Sequence, residues 1–475
     1  DYRHGNDADV YAQRVDSLGA GQWEPDGVPV CTTATDQRLR DIVPDGSGGA
    51  ILVWRDWSFD PLGFDIRAQR IDGDGSLLWV QQGVPLCTAG REQFFPVAVP
   101  DGSGGAIVAW QDWRRWYESD IYAQRVSSGG LVEWAVQGVP LCTAANDQKG
   151  PAISSDSAGG AIVVWTDYRS TGANVYVQRV DSSGATRWTQ NGLLLVSPGV
   201  AGPITTDGGG GAIILWQLYG ELRAQRVDGE GQFRWDPAGV LICTWSPWLD
   251  ALHPVIISDG RGGAIIAWDH APEGEDIRDI YAQRVDSAGN ILWQDQGVAV
   301  STAARRQEAP CAVSDGCGGA IMTWHDERNL WTSWTDVYAQ RVYGDGSLTE
   351  AGGLVTGGGW IPGGPSGATS KRTFGFNAHS EDGAVFGQLQ FNDHGIGLRV
   401  HSDSLYTLVI QPGDTIANFA GDCRVAGVSG YTFDCEVMDR GEPGHGVDWF
   451  SIQICDGNGN PYYSGADFLG GGNIQ

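Results

Sequence analysis

The sequence predicts an all-β protein: a β-propeller of six, alternatively seven, four-stranded blades, followed by a C-terminal β-sandwich. Three observations predict it. The phrase Gly-Gly-Ala-Ile-x-x-Trp, or a close variant, returns at intervals of about 55 residues, ending at Trp54, Trp110, Trp165, Trp216, Trp268 and Trp324. Three further strand-like phrases accompany each copy, so that every unit holds the four strands of a propeller blade. From residue 371 these phrases vanish and a different set of alternating strands takes over.

Each phrase reads as a strand. Ala106-Ile107-Val108-Ala109-Trp110 is apolar on both faces and is expected to be the innermost strand, lining the central axis. The Asp-Gly-Ser-Gly-Gly before it supplies residues that tolerate positive φ, as a hairpin turn demands. The second phrase is Asp-Ile-Tyr-Ala-Gln-Arg-Val, with its Gln at Gln13, Gln69, Gln124, Gln178, Gln225, Gln283 and Gln340. The third carries Trp23, Trp79, Trp134, Trp188, Trp235 or Trp293 and runs on into Gly-Val-Pro-Leu-Cys-Thr or a relative. A short fourth phrase, such as Pro151-Ala152-Ile153-Ser154-Ser155-Asp156, precedes the Gly-Gly. A β-helix would need much shorter coils, and the glycine and β-branched content excludes an α-solenoid.

Counting blades leaves a remainder. The Gly-Gly-Ala-Ile strand occurs six times and the Ala-Gln-Arg strand seven times. Residues 8–32 read as a third and a fourth strand without inner partners, while Gly346-Ser347-Leu348-Thr349 lacks the usual Trp. Six blades result if the N-terminal strand around Trp23 completes the last blade. One Ala-Gln-Arg strand is then left over. Either a seventh blade begins upstream of Asp1, or the spare strand pairs with another chain, since an unpaired edge is adhesive.

The succession Pro-x-Ile-x-Ser-Asp, Gly-Gly-Ala-Ile-x-x-Trp-x-Asp-x-Arg and Asp-Ile-Tyr-Ala-Gln-Arg-Val-Asp resembles the repeat of TolB-type propellers over residues 1–345. That resemblance implies a fold, and a fold does not give a function. Residues 346–370 are rich in Gly, Pro and Ser and read as a linker. In residues 371–475, Asn392-Asp393-His394-Gly395, Gly430-Tyr431-Thr432-Phe433 and the ending Gly-Gly-Gly-Asn-Ile-Gln resemble the post-COAP domain of secreted prokaryotic proteins. This second resemblance implies an extracellular or cell-surface location and no particular chemistry.

The chain of 475 residues has a net charge of −28, with 21 Trp and 71 Gly. Such a charge repels nucleic acid and anionic lipid, and no apolar run is long enough for a membrane helix. Of the nine Cys, Cys31, Cys87, Cys142 and Cys243 recur at one place in the repeat and read as small buried hydrophobes. Cys311 with Cys317, and Cys423 with Cys435, flank tight turns and are the candidate disulfides, which would leave Cys455 odd.

The repeat carries its own charges. The Arg of Ala-Gln-Arg, as in Arg125, is expected to pair with the Asp that follows the Trp, as in Asp56, Asp112, Asp167 and Asp326. In the fourth repeat Leu218 replaces that Asp, so Arg226 is expected to turn to Glu221. Occurrence in most blades points to scaffold. No cofactor is implied: Asp72-Gly73-Asp74-Gly75 and its relatives fit turn chemistry better than structural calcium, and His394 has no companion His at ligand spacing. There is no Gly-x-Ser-x-Gly elbow, phosphate loop or Cys-x-x-Cys, so the expectation is a protein that is not an enzyme.

One asymmetry points to binding. The turns on one propeller face are short and made of Gly, Asp and Ser. The loops on the other face are long, varied and aromatic. They carry Trp57, Phe59 and Phe64, then Phe94, Phe95, Trp113, Trp116 and Tyr117, then Trp245, Trp248, Trp331 and Trp334. Two functions follow as expectations. The first is a self-assembling surface filament subunit that pairs with other copies of itself or with a cell-surface protein. The alternative is a monomeric carbohydrate- or peptide-binding module that uses the aromatic face.

Overall fold

The computed structural model describes residues 7–16, 19–59, 62–244, 253–271, 278–328, 335–348, 354–362, 371–381, 384–410, 416–439, 448–457 and 459–474. Among these residues the chain is all strand and turn, with no helix. None therefore is long and apolar enough to cross a membrane as a helix. The chain divides into two compact units, Asp1–Ser314 with Ile321–Ala339, and Asp315–Ala320 with Gln340–Gln475.

The first unit repeats one antiparallel sheet whose strands, in chain order, we call a, b, c and d. Blade 1 is Gln37–Pro44, Ala50–Phe59, Leu62–Ile71 and Val84–Cys87. Blade 2 is Gln93–Pro100, Ala106–Arg115, Glu118–Val126 and Val139–Cys142. Blades 3, 4 and 5 repeat the pattern from Gln148 to Val196, Val200 to Thr244 and Val255 to Ser301. Blade 6 has three strands among the described residues, Gln307–Ser314, Ala320–Asp326 and Asp336–Val342.

The strand expected on the axis is not there. Strands a of successive blades lie beside one another, so strand a is innermost and the Gly-Gly-Ala-Ile strand is second. The two-sided apolar pattern has another cause. Strand b is sandwiched between neighbouring blades, which buries every residue of Ala106–Trp110 completely. Strand a of blade 1 instead leaves Leu39 and Ile42 exposed.

The N-terminal strands also depart from expectation. Val10–Ala12 pairs with Val28–Cys31 in a sheet of its own and does not complete blade 6. Val10, Val30 and Cys31 pack on Leu52, Trp54 and Ile71 of blade 1. This half-blade docks on blade 1 as blade 1 docks on blade 2. Trp23 Nε1 donates to the Gly73 carbonyl, and Trp79 Nε1 to that of Ser128. Val10–Ala12 is thus paired along one edge, with Val28–Cys31 of its own chain.

The repeated Arg has a different partner from the one expected. Arg70 bonds Asp45, Arg125 bonds Asp101, Arg179 bonds Asp156 and Arg226 bonds Asp207, all within 3.0 Å. Each partner is the Asp that opens the a–b turn. Register explains this: Arg70 stands opposite Ile51 at the turn end, while Asp56 stands opposite Asp65 at the far end. Glu221 pairs with Arg223 instead of Arg226. The same Arg also donates to the next blade, as Arg125 does to the Ser182 carbonyl, so scaffold is its role.

The second unit holds one nine-stranded antiparallel sheet, in which the last strand, Gly471–Ile474, pairs with the first, Leu354–Pro362. That first strand lies within the stretch read as a linker. The expected β-sandwich is thus built as a single barrel-like sheet. Its inner face is lined by Phe374, Phe391, Phe419, Phe433 and Phe450, with Phe374 and Phe450 stacked at 3.9 Å.

All nine cysteines are free, which corrects both expected disulfides. Cys423 stands opposite Tyr431 and Cys435 opposite Phe419, so the pair is offset along its hairpin. Cys317 sits in the turn where its amide donates to Asp315 Oδ1, whereas Cys311 lies back along strand a and is exposed.

Candidate functional site

The b–c connection of blade 1 is a continuation of the two strands, pairing Trp57 with Phe64 across the ladder. Trp57 is half-buried and meets Phe64 edge-on at 4.9 Å. Gly63 brings the d–a loop of the next blade onto this hairpin, since a Cβ there would lie 2.5 Å from the Arg91 carbonyl oxygen. Strand a of blade 2 then adds Phe94, 6.3 Å from Phe64, and Phe95, 6.0 Å from Phe94. Phe95 occupies the bulge of its strand with a φ of +50° and is 47% exposed.

Arginines interleave with these rings. Arg55 lies 4.5 Å from the Phe64 centroid and 5.0 Å from that of Phe94. Arg38 stands 6.0 Å from Phe64, and Arg40 stands 5.2 Å from Phe95. Arg91 lies over the Trp116 ring, 3.0 Å from its centroid. Trp116 and Tyr117 form the b–c turn of blade 2 and are 69% and 89% exposed. With one face of Trp116 covered by Arg91, the exposure belongs to its other face.

Arg55 is the out-of-pattern member. The residue after the strand-b Trp normally accepts a bond from the innermost strand of the following blade. Gln111 accepts from the Gly150 amide, Thr166 from Ala201 and Asp269 from Ala309. Arginine has no acceptor. Arg55 is only 5% exposed, and its Nε finds no hydrogen-bond partner among the described residues. Burial and then the like charges of Arg40 and Arg38 push its pKa down to about 10.

Of the residues singled out in the sequence, Trp57 joins this cluster and Trp116 extends it through Arg91. Trp113 is half-buried, and its amide bonds the Glu92 carbonyl. Trp245, Trp248, Trp331 and Trp334 lie outside the described residues. The arginines were not foreseen. The available signals were the alternation Arg38-x-Arg40 and the replacement of Gln, Thr or Asp by Arg at position 55.

A second feature sits just before strand a of blade 5. His253 Nδ1 is 2.8 Å from Asp269 Oδ2, and the Asp269 carboxylate also accepts from Arg278 at 2.9 Å. Asp269 is fully buried, whereas the His253 side chain is 59% exposed. The carboxylate therefore fixes the ring through Nδ1.

No family model matches the sequence. No curated protein matches it either. Solved structures of similar architecture include an endo-arabinase from Bacteroides thetaiotaomicron, with 14% identity, 52% of this chain and 93% of that chain covered, and a TM-score of 0.31. A polysaccharide lyase, an ulvan lyase, has 11% identity over 72% of this chain and 85% of its own, with a TM-score of 0.41. A fructofuranosidase from Schwanniomyces occidentalis has 12% identity over 80% of this chain and 91% of its own, with a TM-score of 0.30. At this level the likeness is one of fold. The expectation of a protein that is not an enzyme is corrected: an endo-arabinase, a polysaccharide lyase and a fructofuranosidase are among these neighbours, and the missing elbow, phosphate loop and Cys-x-x-Cys exclude only the chemistries those motifs serve.

Proposed function

We propose that this chain is a carbohydrate-recognising propeller that takes a glycan along the aromatic–arginine cluster of blades 1 and 2. One observation carries the reading: the open face of Trp116, backed by Arg91 and followed by the exposed Phe95. Sugar rings present flat C–H faces that stack on such aromatic surfaces, while their hydroxyls suit planar guanidinium donors. Rings held by neighbouring cations and strand ladders lose little freedom on binding, so less affinity is lost to ordering.

A glycan array probed with the parent chain, Trp116→Ala and Phe95→Ala tests the reading. Both side chains are exposed, so the thermal midpoint should hold while binding falls at least about tenfold. A parent chain that binds no glycan, or binding that survives both substitutions, would sink the proposal.

A further inference from the structure

We propose that the glycan is acidic, and that its anionic group, a uronate carboxylate or a sulfate ester, docks on Arg55 with Arg38 and Arg40 at the rim. This deepens the carbohydrate reading and rests on it.

The first argument is the state of Arg55. A buried guanidinium without an acceptor is costly, and the scaffold arginines avoid that cost with a carboxylate each, as Arg70 does with Asp45. Arg55 lies over the rings of Phe64 and Phe94 and has a buried Nε that meets no acceptor among the described residues. The nearby acids are otherwise engaged. Asp36 holds Arg38 at 2.6 Å, and Asp41 accepts from the Ala98 amide at 2.8 Å. Glu92 acts on Arg55 only through its field.

The second argument is charge. The chain carries −28 overall, yet three arginines gather here on adjacent strands, with Arg38 directly opposite Arg55. An anion attracted to such a chain must be attracted locally. The planar fork of a guanidinium matches two oxygens of a carboxylate or sulfate, and the rings of Phe64 and Phe94 hold that fork in place. Scaffold explains the repeated arginines but not this one, since blade 2 fills the equivalent position with Gln111.

The same comparison supplies the variant. Arg55→Gln copies blade 2 and restores an acceptor facing the next blade, so it should fold with an unchanged or higher thermal midpoint. Calorimetric titrations would compare the parent, Arg55→Gln and Arg40→Ala with polygalacturonate, its methyl-esterified form, dextran sulfate and dextran. A thermal-shift series with sodium sulfate and sodium glucuronate would accompany them. The expected result is binding of an acidic chain at least about tenfold tighter than its neutral counterpart, lost about tenfold in Arg55→Gln. Preference for polygalacturonate or for dextran sulfate decides between carboxylate and sulfate. Neutral chains bound as well as acidic ones, with Arg55→Gln unaffected, overturn the anion site and leave the carbohydrate reading standing. Stabilisation by sulfate or glucuronate that vanishes in Arg55→Gln, with no polysaccharide bound, keeps the anion site and overturns the carbohydrate reading. Silence in every arm overturns both.

Discussion

The indole Nε1 of Trp110 donates to Asp112 Oδ2 at 2.8 Å, two residues further along the same strand. Arg114 closes on the same carboxylate at 2.7 Å and lies over the Tyr122 ring at 3.7 Å. Blades 3 and 6 repeat this lock with Trp165, Asp167 and Arg169 and with Trp324, Asp326 and Arg328. Blade 4 has Leu218 at the Asp position, and the Trp216 Nε1 has no partner among the described residues.

Asp167→Ala should therefore destabilise the chain by about 3–5 kcal/mol, because it strands a buried indole N–H and leaves Arg169 without its carboxylate. Urea unfolding of the purified variant measures this. A loss below about 1 kcal/mol would show that the lock is ornamental.

Gly138→Ala tests how blade ends close on the strand-b Trp. Its φ is +89°, and an added Cβ would lie 2.6 Å from Trp110 Cη2 and 2.9 Å from the Ala123 carbonyl oxygen. Ring and backbone are both held, so the substitution should cost at least about 1–3 kcal/mol by overpacking. A lowered thermal midpoint is the expected readout.

Two carboxylates make stability depend on pH. Burial pushes Asp65 and Asp120 up to about 6, with the neighbouring Asp56 and Asp112 adding to the effect. A carboxyl whose folded pKa lies above its unfolded value binds its proton more tightly when folded. Its contribution favours folding below about pH 4 and is lost as pH rises through about 6. Asn already stands at this place in blade 3, as Asn174 opposite Asp167. Asp65→Asn should thus exceed the parent in stability at pH 7.5 by roughly 1–3 kcal/mol and lose that advantage toward pH 4. Unfolding curves at both pH values provide the comparison; an advantage that grows on acidification would reverse the sign.

The thiols offer a further check. Burial pushes Cys87, Cys142 and Cys243 up to about 12, far from the thiolate form that reacts. Native protein treated with a disulfide reagent should be labelled first at the exposed Cys311. In denaturant without reductant, all nine thiols should titrate. A smaller count would mean that some are bridged after all.

The repeat alone determined the four-strand unit and the positions of its tight turns. Those features are local: Asp-Gly-Ser-Gly-Gly closes its own turn through Asp101 Oδ1 and the amides of Ser103 and Gly105, whatever the rest of the chain does. Which strand lies innermost was decided by packing between blades, because an apolar strand buried by two neighbouring sheets reads the same as one buried at an axis. The partner of Arg125 depended on which end of the ladder it occupies, and register is set across strands. The Arg55 cluster was least legible. Its rings come from strands b and c of one blade and strand a of the next, and the absence of an acceptor shows only once those three strands are brought together.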